Sequence, residues 1–243
     1  MIFIIPDLNW KKMVDEIVGL FSSSACPICR EEINTTLCSA CKSKFEYLKP
    51  PLCRICGDPL NTSDKLCPDC REKPQRYEIS RSIVLYKTEI KQIIHEIKFK
   101  GKTELLLHFE TILWKYFKRN SYLFEADVLT SVPPNLNSPE RKICLATGLA
   151  KILKEKAGLN YKLVLERKRE IKLQHKLKGK NRWENAKDAF KLKDNMDINN
   201  KSILLIDDIF TTGATVYYCS KALKEAGADK IKVLTLARTP RKE

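Results

Sequence analysis

The chain is 243 residues long and 43% hydrophobic, ordinary for a globular protein and enough for a small module plus one domain. It carries 45 Lys and Arg against 30 Asp and Glu, a formal charge of +15, which favours polyanionic partners such as nucleic acid. The sequence has no apolar run of transmembrane length. Its short apolar start MIFII ends at Pro6 before Lys11, Lys12, Asp15 and Glu16, so neither membrane insertion nor a secretory signal is expected, and a cytoplasmic location is.

From the N-terminus, residues from about Asn9 to Phe21 read as a short amphipathic helix. Eight of the ten cysteines follow, as four CxxC pairs: Cys26/Cys29, Cys38/Cys41, Cys53/Cys56 and Cys67/Cys70. A CxxC knuckle presents two thiolates from one tight turn, and two knuckles complete a tetrahedral zinc shell. A reducing compartment favours metal over disulfides. Short connections make sequential pairing, with two structural Zn²⁺, the simplest arrangement, while a cross-braced one stays open. The block is too small and polar for a sufficient apolar core, so metal binding must supply much of its folding energy. Eight thiolates on two Zn²⁺ would lower the net charge to about +11, leaving the basic excess in place.

The cysteines stop near Arg71 to Glu78, which places a boundary at residue 76: a zinc-binding module over 1–76 and an α/β domain over 77–243. In the second part, strands are expected at Ile79 to Tyr86, Asp127 to Val132, Lys162 to Leu165, Ile203 to Ile206 and Lys230 to Ala237. Helices are expected at Glu89 to Phe99, Glu104 to Phe117, Glu140 to Lys156 and Ala214 to Ala226. This alternation implies a mostly parallel sheet with helices on both faces. Cys144 and Cys219 read as small buried apolar residues, and His95 and His108 as helix-surface or core residues.

The segment Ile203 to Thr215, ILLIDDIFTTGAT, carries the sharpest chemistry. Four aliphatic residues suit a strand covered on both faces, and Asp207 and Asp208 follow at its carboxyl end, where ligands bind in open α/β sheets. Two adjacent acids are costly to bury unless hydroxyls, a cation or backbone donors meet them. Thr211, Thr212, Gly213, Ala214 and Thr215 then offer hydroxyls and free N–H groups at the start of a helix, an anion site. A ribose with a diol and a 5′-phosphate satisfies both halves, with Mg²⁺ bridging to the acids. The order of strand, paired acids and TTGAT-type loop resembles the PRPP-binding motif of type I phosphoribosyltransferases. The alternative is an ordinary strand-turn-helix with solvated acidic caps. A Walker-type site is disfavoured, since no GK[ST] follows the glycine and no GxGxxG occurs.

Several segments together resemble the ComF/ComFC family of competence proteins: four CxxC pairs, YKTEIKQIIHEIKFKG (Tyr86 to Gly101), VPP (Val132 to Pro134), LVLERKREIKLQHKLKGKNRWENAKDAF, IDDIFTTGAT and VLTLAR. Gln174, Leu177, Arg182, Asn185 and Phe190 fall at the intervals that the family's middle segment shows. The resemblance implies a zinc-ribbon module coupled to a phosphoribosyltransferase-like domain, with a role in DNA uptake during natural transformation and other DNA-uptake proteins as partners. One segment departs. The family's RGFNQ reads here RKICL, Arg141 to Leu145, retaining only the arginine, so turnover is less supported than PRPP binding.

The run from Glu166 to Lys187 holds nine Lys/Arg and three Glu. Its functional reading is a flap that meets pyrophosphate or a nucleic-acid backbone through Lys176, Lys178, Lys180 and Arg182, with Trp183 stacking on a base. A solvated charged face is the alternative, and Lys98 and Lys100 have the same two readings. The expected function is PRPP and single-stranded DNA binding in transformation. An active phosphoribosyltransferase for an unidentified base or amine is the second reading, although neither an acceptor pocket nor a general base is legible.

Overall fold

The computed structural model describes residues 24–61, 64–135, 140–168 and 179–241. The helix expected over Asn9 to Phe21 lies outside them. In the cysteine-rich segment, β1 (Ser24–Ala25) pairs antiparallel with β2 (Glu32–Ile33). Two short helices, α1 (Ser39–Ser43) and α2 (Pro68–Glu72), begin directly after Cys38 and Cys67.

The α/β part then runs β3 (Ile79–Leu85), α3 (Thr88–His95), a π-helical turn (Glu96–Lys100), a 3-10 turn (Thr103–Leu105), α4 (Leu106–Arg119), α5 (Ser121–Phe124) and β4 (Val128–Ser131). It continues through α6 (Leu145–Ala157), β5 (Leu165–Arg167), α7 (Gly179–Ala186), β6 (Phe190–Leu192), β7 (Ile203–Phe210), α8 (Ala214–Glu225) and β8 (Ile231–Arg238). The main sheet has the order β3-β8-β7-β4, with every neighbouring pair parallel.

Alternation along the two central strands splits the core into two apolar layers. Leu204, Ile206, Leu234 and Leu236 face the layer built by α3, α4 and α6, while Ile203, Leu205, Ile231 and Val233 face the layer containing α8. On the first side, Ile90, Ile93, Ile94 and Ile97 recur at helical spacing and are buried, as are Leu106, Phe109 and Leu113. Gly148 of α6 faces α4, where a Cβ would meet Leu106 at an ordinary contact distance of 3.5 Å. Such side chains dominate the favourable term, at roughly 1.5–3 kcal/mol each.

The cysteine-rich segment straddles the edge of this sheet. Cys26, Leu37, Cys41 and Phe45 join the first layer, whereas Cys53, Cys56, Cys67 and Cys70 join the second. Between them, Glu46 to Leu48 and Ile55 cover the edge strand β3. The Leu85 N–H donates to Glu46 O (2.8 Å), the Leu48 N–H to Ile83 O (3.0 Å) and the Ser80 N–H to Ile55 O (2.6 Å). The module thereby satisfies backbone groups that an open edge would expose.

Three expected elements differ. The strand expected at Lys162 to Leu165 is displaced to β5, which pairs antiparallel with β6 outside the main sheet; Tyr161 alone bridges Leu129 of β4. The helix expected from Glu140 begins at Leu145, because the Lys142 N–H is tied to Lys98 O (2.8 Å) and Cys144 is extended at φ −86°, ψ 99°. Strand β7 does not stop at Ile206: β8 is equally long and the ladder continues to the pair Phe210 and Arg238.

Because the ribbon segment supplies the outer hydrogen bonds of β3, chelating the metals should speed amide exchange at Ser80 and Leu85 while leaving Leu204 and Leu205 of β7 protected. Site-resolved hydrogen exchange checks this. Unchanged protection at Ser80 and Leu85 after complete metal removal would contradict it.

Candidate functional site

The cysteines form two separate four-thiol groups. Cys26, Cys29, Cys38 and Cys41 make one, and Cys53, Cys56, Cys67 and Cys70 the other, with all ligand atoms of a group within 4.8 Å of one another. Sequential pairing is therefore the arrangement adopted. Four soft sulfur donors without a carboxylate or open position suit structural zinc. In the second group, the hydrogen bond from Cys70 and the nearby Arg238 charge lower the Cys56 thiol below its ordinary value.

The carboxyl end of the main sheet opens into a cleft of about 640 Å³. Asp207 and Asp208 of β7 line it, as do Thr211, Thr212, Ala214 and Thr215. Gly213 adopts φ +79°, a left-handed turn that delivers the chain into α8. The Ala214 N–H donates weakly to Thr212 Oγ1 at 3.4 Å.

Asp207 is only 8% exposed, and burial followed by the Asp208 charge pushes its carboxyl up to about 7. The Asp208 N–H donates to Asp207 Oδ1 at 2.8 Å. Asp208 is ion-paired with Lys98, itself 6% exposed on the π-helical turn. Lys98 is thus committed to the acid pair rather than free for nucleic acid. Lys100 is half-exposed and pairs with Glu96 at 2.6 Å.

Two arginines complete the cleft wall. Arg141 lines it with a buried Nε that has no hydrogen-bond partner among the described residues. Arg167 donates from Nε to Pro133 O (3.2 Å) and Pro134 O (3.3 Å), and its guanidinium lies 4.9 Å over the Phe190 ring. Burial pulls Arg167 below its ordinary value, although Asp207 counteracts this. An anion would meet the Arg141 Nε and offset the desolvation of Arg167.

Of the basic run, Arg182 and Asn185 join Arg167 in lining the cleft. Lys176 and Lys178 lie outside the described residues, as do Gln174 and Leu177, and Lys180 falls in α7. Trp183 is half-buried beside α8. Its ring sits 5.2 Å from Tyr217 and 5.9 Å from Tyr218, edge-on, and packs against α8. Cys219 is buried as expected, but Cys144 reaches the cleft.

Sequence reasoning did not single out Arg167 or Arg238. Arg167 was one of nine similar basic residues, and only its pairing with β6 distinguishes it. Arg238 ends an apolar strand, where a single basic residue looks like an ordinary solvated terminus.

A pair of four-thiol groups suited to zinc, beside a parallel-sheet cleft with paired acids and a helix-start loop, defines a double zinc ribbon joined to a phosphoribosyltransferase-type domain. Family models agree: a double zinc ribbon domain matches residues 17–71 and a phosphoribosyl transferase domain matches residues 143–243. The chain is 33% identical over 211 residues to the competence protein ComFC of Streptococcus pneumoniae, covering 84% of this chain and 89% of that one. It is 27% identical over 222 residues to ComFC of Bacillus subtilis, with 84% of each covered. It is also 26% identical over 225 residues to the DNA utilization protein YhgH of Escherichia coli K12, covering 88% and 96%. The chain belongs to the ComF/ComFC family. Among the described residues no helix is long and apolar enough to cross a membrane.

The raised Asp207 carboxyl fixes a pH dependence. The folded state holds this proton more tightly than the unfolded one, so the associated stability is present below about 4 and is lost as pH rises through about 7. Asp207→Asn removes that loss. In Mg²⁺-free buffer without ligand, the variant should melt higher than wild type at pH 8, with a gap that narrows at pH 5.5. A variant that melts lower at pH 8 would contradict the assignment.

Proposed function

We propose that the cleft binds Mg²⁺-PRPP and that the protein uses a basic surface on single-stranded DNA as a cytoplasmic component of DNA uptake. The observation that carries the first half is the convergence of Asp207, Asp208 and the Thr211 to Thr215 loop with Lys98, Arg141 and Arg167 in one cleft. The acids accept from the ribose hydroxyls, directly or through Mg²⁺. The loop N–H groups at the start of α8 hold the 5′-phosphate. Arg141 and Arg167 face the pyrophosphate, consistent with the unpartnered Arg141 Nε and the desolvation of Arg167. The module over 1–76 and the domain over 77–243 divide structural and ligand-binding roles.

The DNA half draws on the relatives named for competence and DNA utilization and on the basic excess of the chain. Turnover of PRPP with a base or amine is the second reading. The cleft supports it through its size, whereas Cys144 and Leu145 put thiol and apolar groups where the resemblance implies asparagine and glutamine.

Mg²⁺-PRPP at a hundredfold excess over Kd should stabilise the native state by about 2.7 kcal/mol, and the double variant Asp207→Asn, Asp208→Asn should lose that gain. Equal ligand-induced shifts in thermal unfolding for both proteins would remove the cleft as the binding site.

Single-strand affinity should fall with salt at a logarithmic slope of about −0.7 per phosphate contact. Replacing Lys176, Lys178, Lys180 and Arg182 with glutamine should weaken binding and flatten the slope, while Trp183→Ala should reduce affinity with less change in slope, as loss of base stacking would. Fluorescence anisotropy at several salt concentrations reads both. Wild-type affinity and slope in the quadruple variant would place the DNA surface elsewhere.

A further inference from the structure

The second four-thiol group and the Thr211 to Thr215 loop are joined by consecutive contacts through one buried arginine. Arg238, at the end of β8, donates from Nε to Asp58 Oδ1 at 2.9 Å and from Nη1 to Cys56 O at 2.9 Å. Its Nη2 lies 3.6 Å from Cys56 Sγ, one of the metal-ligating atoms. Asp58 is also held by Arg241 at 3.3 Å, which pairs with Asp69 at 2.6 Å, so the knuckle turns are clamped from two sides. The turn itself is closed by the Cys53 N–H donating to Asp58 O at 2.8 Å and the Gly57 N–H to Cys53 O at 3.0 Å.

The Arg238 guanidinium also covers the Phe210 ring, 4.2 Å from its centroid. The two residues face each other across the β7–β8 ladder, and the Thr239 N–H donates to Phe210 O at 2.9 Å. Phe210 in turn fills the space beside the loop's glycine: a Cβ on Gly213 would lie 2.8 Å from Phe210 Cζ. The ring therefore abuts the left-handed turn that starts α8. A guanidinium on an aromatic face is held by charge–quadrupole attraction, stronger when water is excluded. Moving it would leave Asp58 buried with its principal partner gone, a costly state.

We propose that Arg238 is a positioning residue through which metal in the Cys53, Cys56, Cys67 and Cys70 group sets the conformation of the Thr211 to Thr215 loop. Metal fixes the knuckle, the knuckle fixes Asp58 and the Cys56 carbonyl, these hold the guanidinium, and the guanidinium holds Phe210 against Gly213. The first four-thiol group belongs to the opposite apolar layer, with α4 and α6, and among the described residues it has no such line to the loop. The ligand consequence rests on the reading that this loop takes the phosphate of PRPP; the conformational coupling does not.

The test compares Arg238→Lys, Phe210→Leu, Cys70→Ser and Cys29→Ser in the full chain. It reads zinc by elemental analysis, amide exchange across residues 211–215 by mass spectrometry, and PRPP affinity by calorimetry. Phe210→Leu leaves the Arg238 and Asp58 pair in place and serves alone if Arg238→Lys does not fold. Both should retain two zinc ions, with loop exchange faster by about tenfold and PRPP bound about tenfold more weakly. Cys70→Ser should lose one zinc and reproduce the loop effect. Cys29→Ser should also lose one zinc, yet leave the loop as in wild type. Wild-type exchange at 211–215 in both Phe210→Leu and Cys70→Ser, or equal acceleration in Cys29→Ser and Cys70→Ser, overturns the proposal. If wild type binds no PRPP while loop exchange follows the expected pattern, the PRPP reading falls and the coupling stands.

Discussion

The placement of two adjacent carboxylates in a strand buried on both faces is the constraint around which the rest of the protein is arranged. Desolvating them costs several kcal/mol unless charge and donors are brought in. The chain supplies Lys98 on a π-helical turn for Asp208 and leaves Asp207 with a raised carboxyl near neutrality. The π turn widens the end of α3 and brings the ammonium to the strand. Lys98 O in turn holds Lys142, which delays α6 and keeps Arg141 at the cleft. A site that stores an incompletely compensated charge is a ligand site in waiting, because a cation or a diol completes what the protein leaves unfinished.

The zinc ribbons answer a different difficulty, the open edge of a four-stranded sheet. Neither half of the ribbon segment has a core of its own, so metal holds its turns while its apolar residues borrow the two layers of the sheet. In exchange, the backbone near Glu46 to Leu48 and Ile55 closes β3. His108 of α4 contributes to the docking: its ring nitrogen is 2.6 Å from Thr36 Oγ1, and burial pulls it down to about 4, so it stays neutral at physiological pH.

Much of this was legible in residue order. Four CxxC pairs announce metal, the aliphatic run before Asp207 announces a buried strand, and the glycine after two threonines announces a turn into a helix. What failed to show depends on contacts distant in sequence. The Lys162 to Leu165 strand has the right composition, but its partner is β6 rather than the main sheet. Helical periodicity from Glu140 was overridden by one backbone bond from Lys142 to Lys98. The ring cluster of Trp183 with Tyr217 and Tyr218 is likewise invisible in the sequence, because only the fold brings α7 beside α8. Arg238 and Asp58 are 180 residues apart, so no local pattern pairs them.

A crystal structure of the zinc-loaded protein with Mg²⁺-PRPP tests the central claim most directly. It should place the ribose hydroxyls within hydrogen-bond reach of Asp207 and Asp208, or bridged to them by Mg²⁺, with the 5′-phosphate on the backbone N–H groups between Thr211 and Thr215. Ligand density away from this loop, or a cleft that stays empty at saturating PRPP, would contradict it.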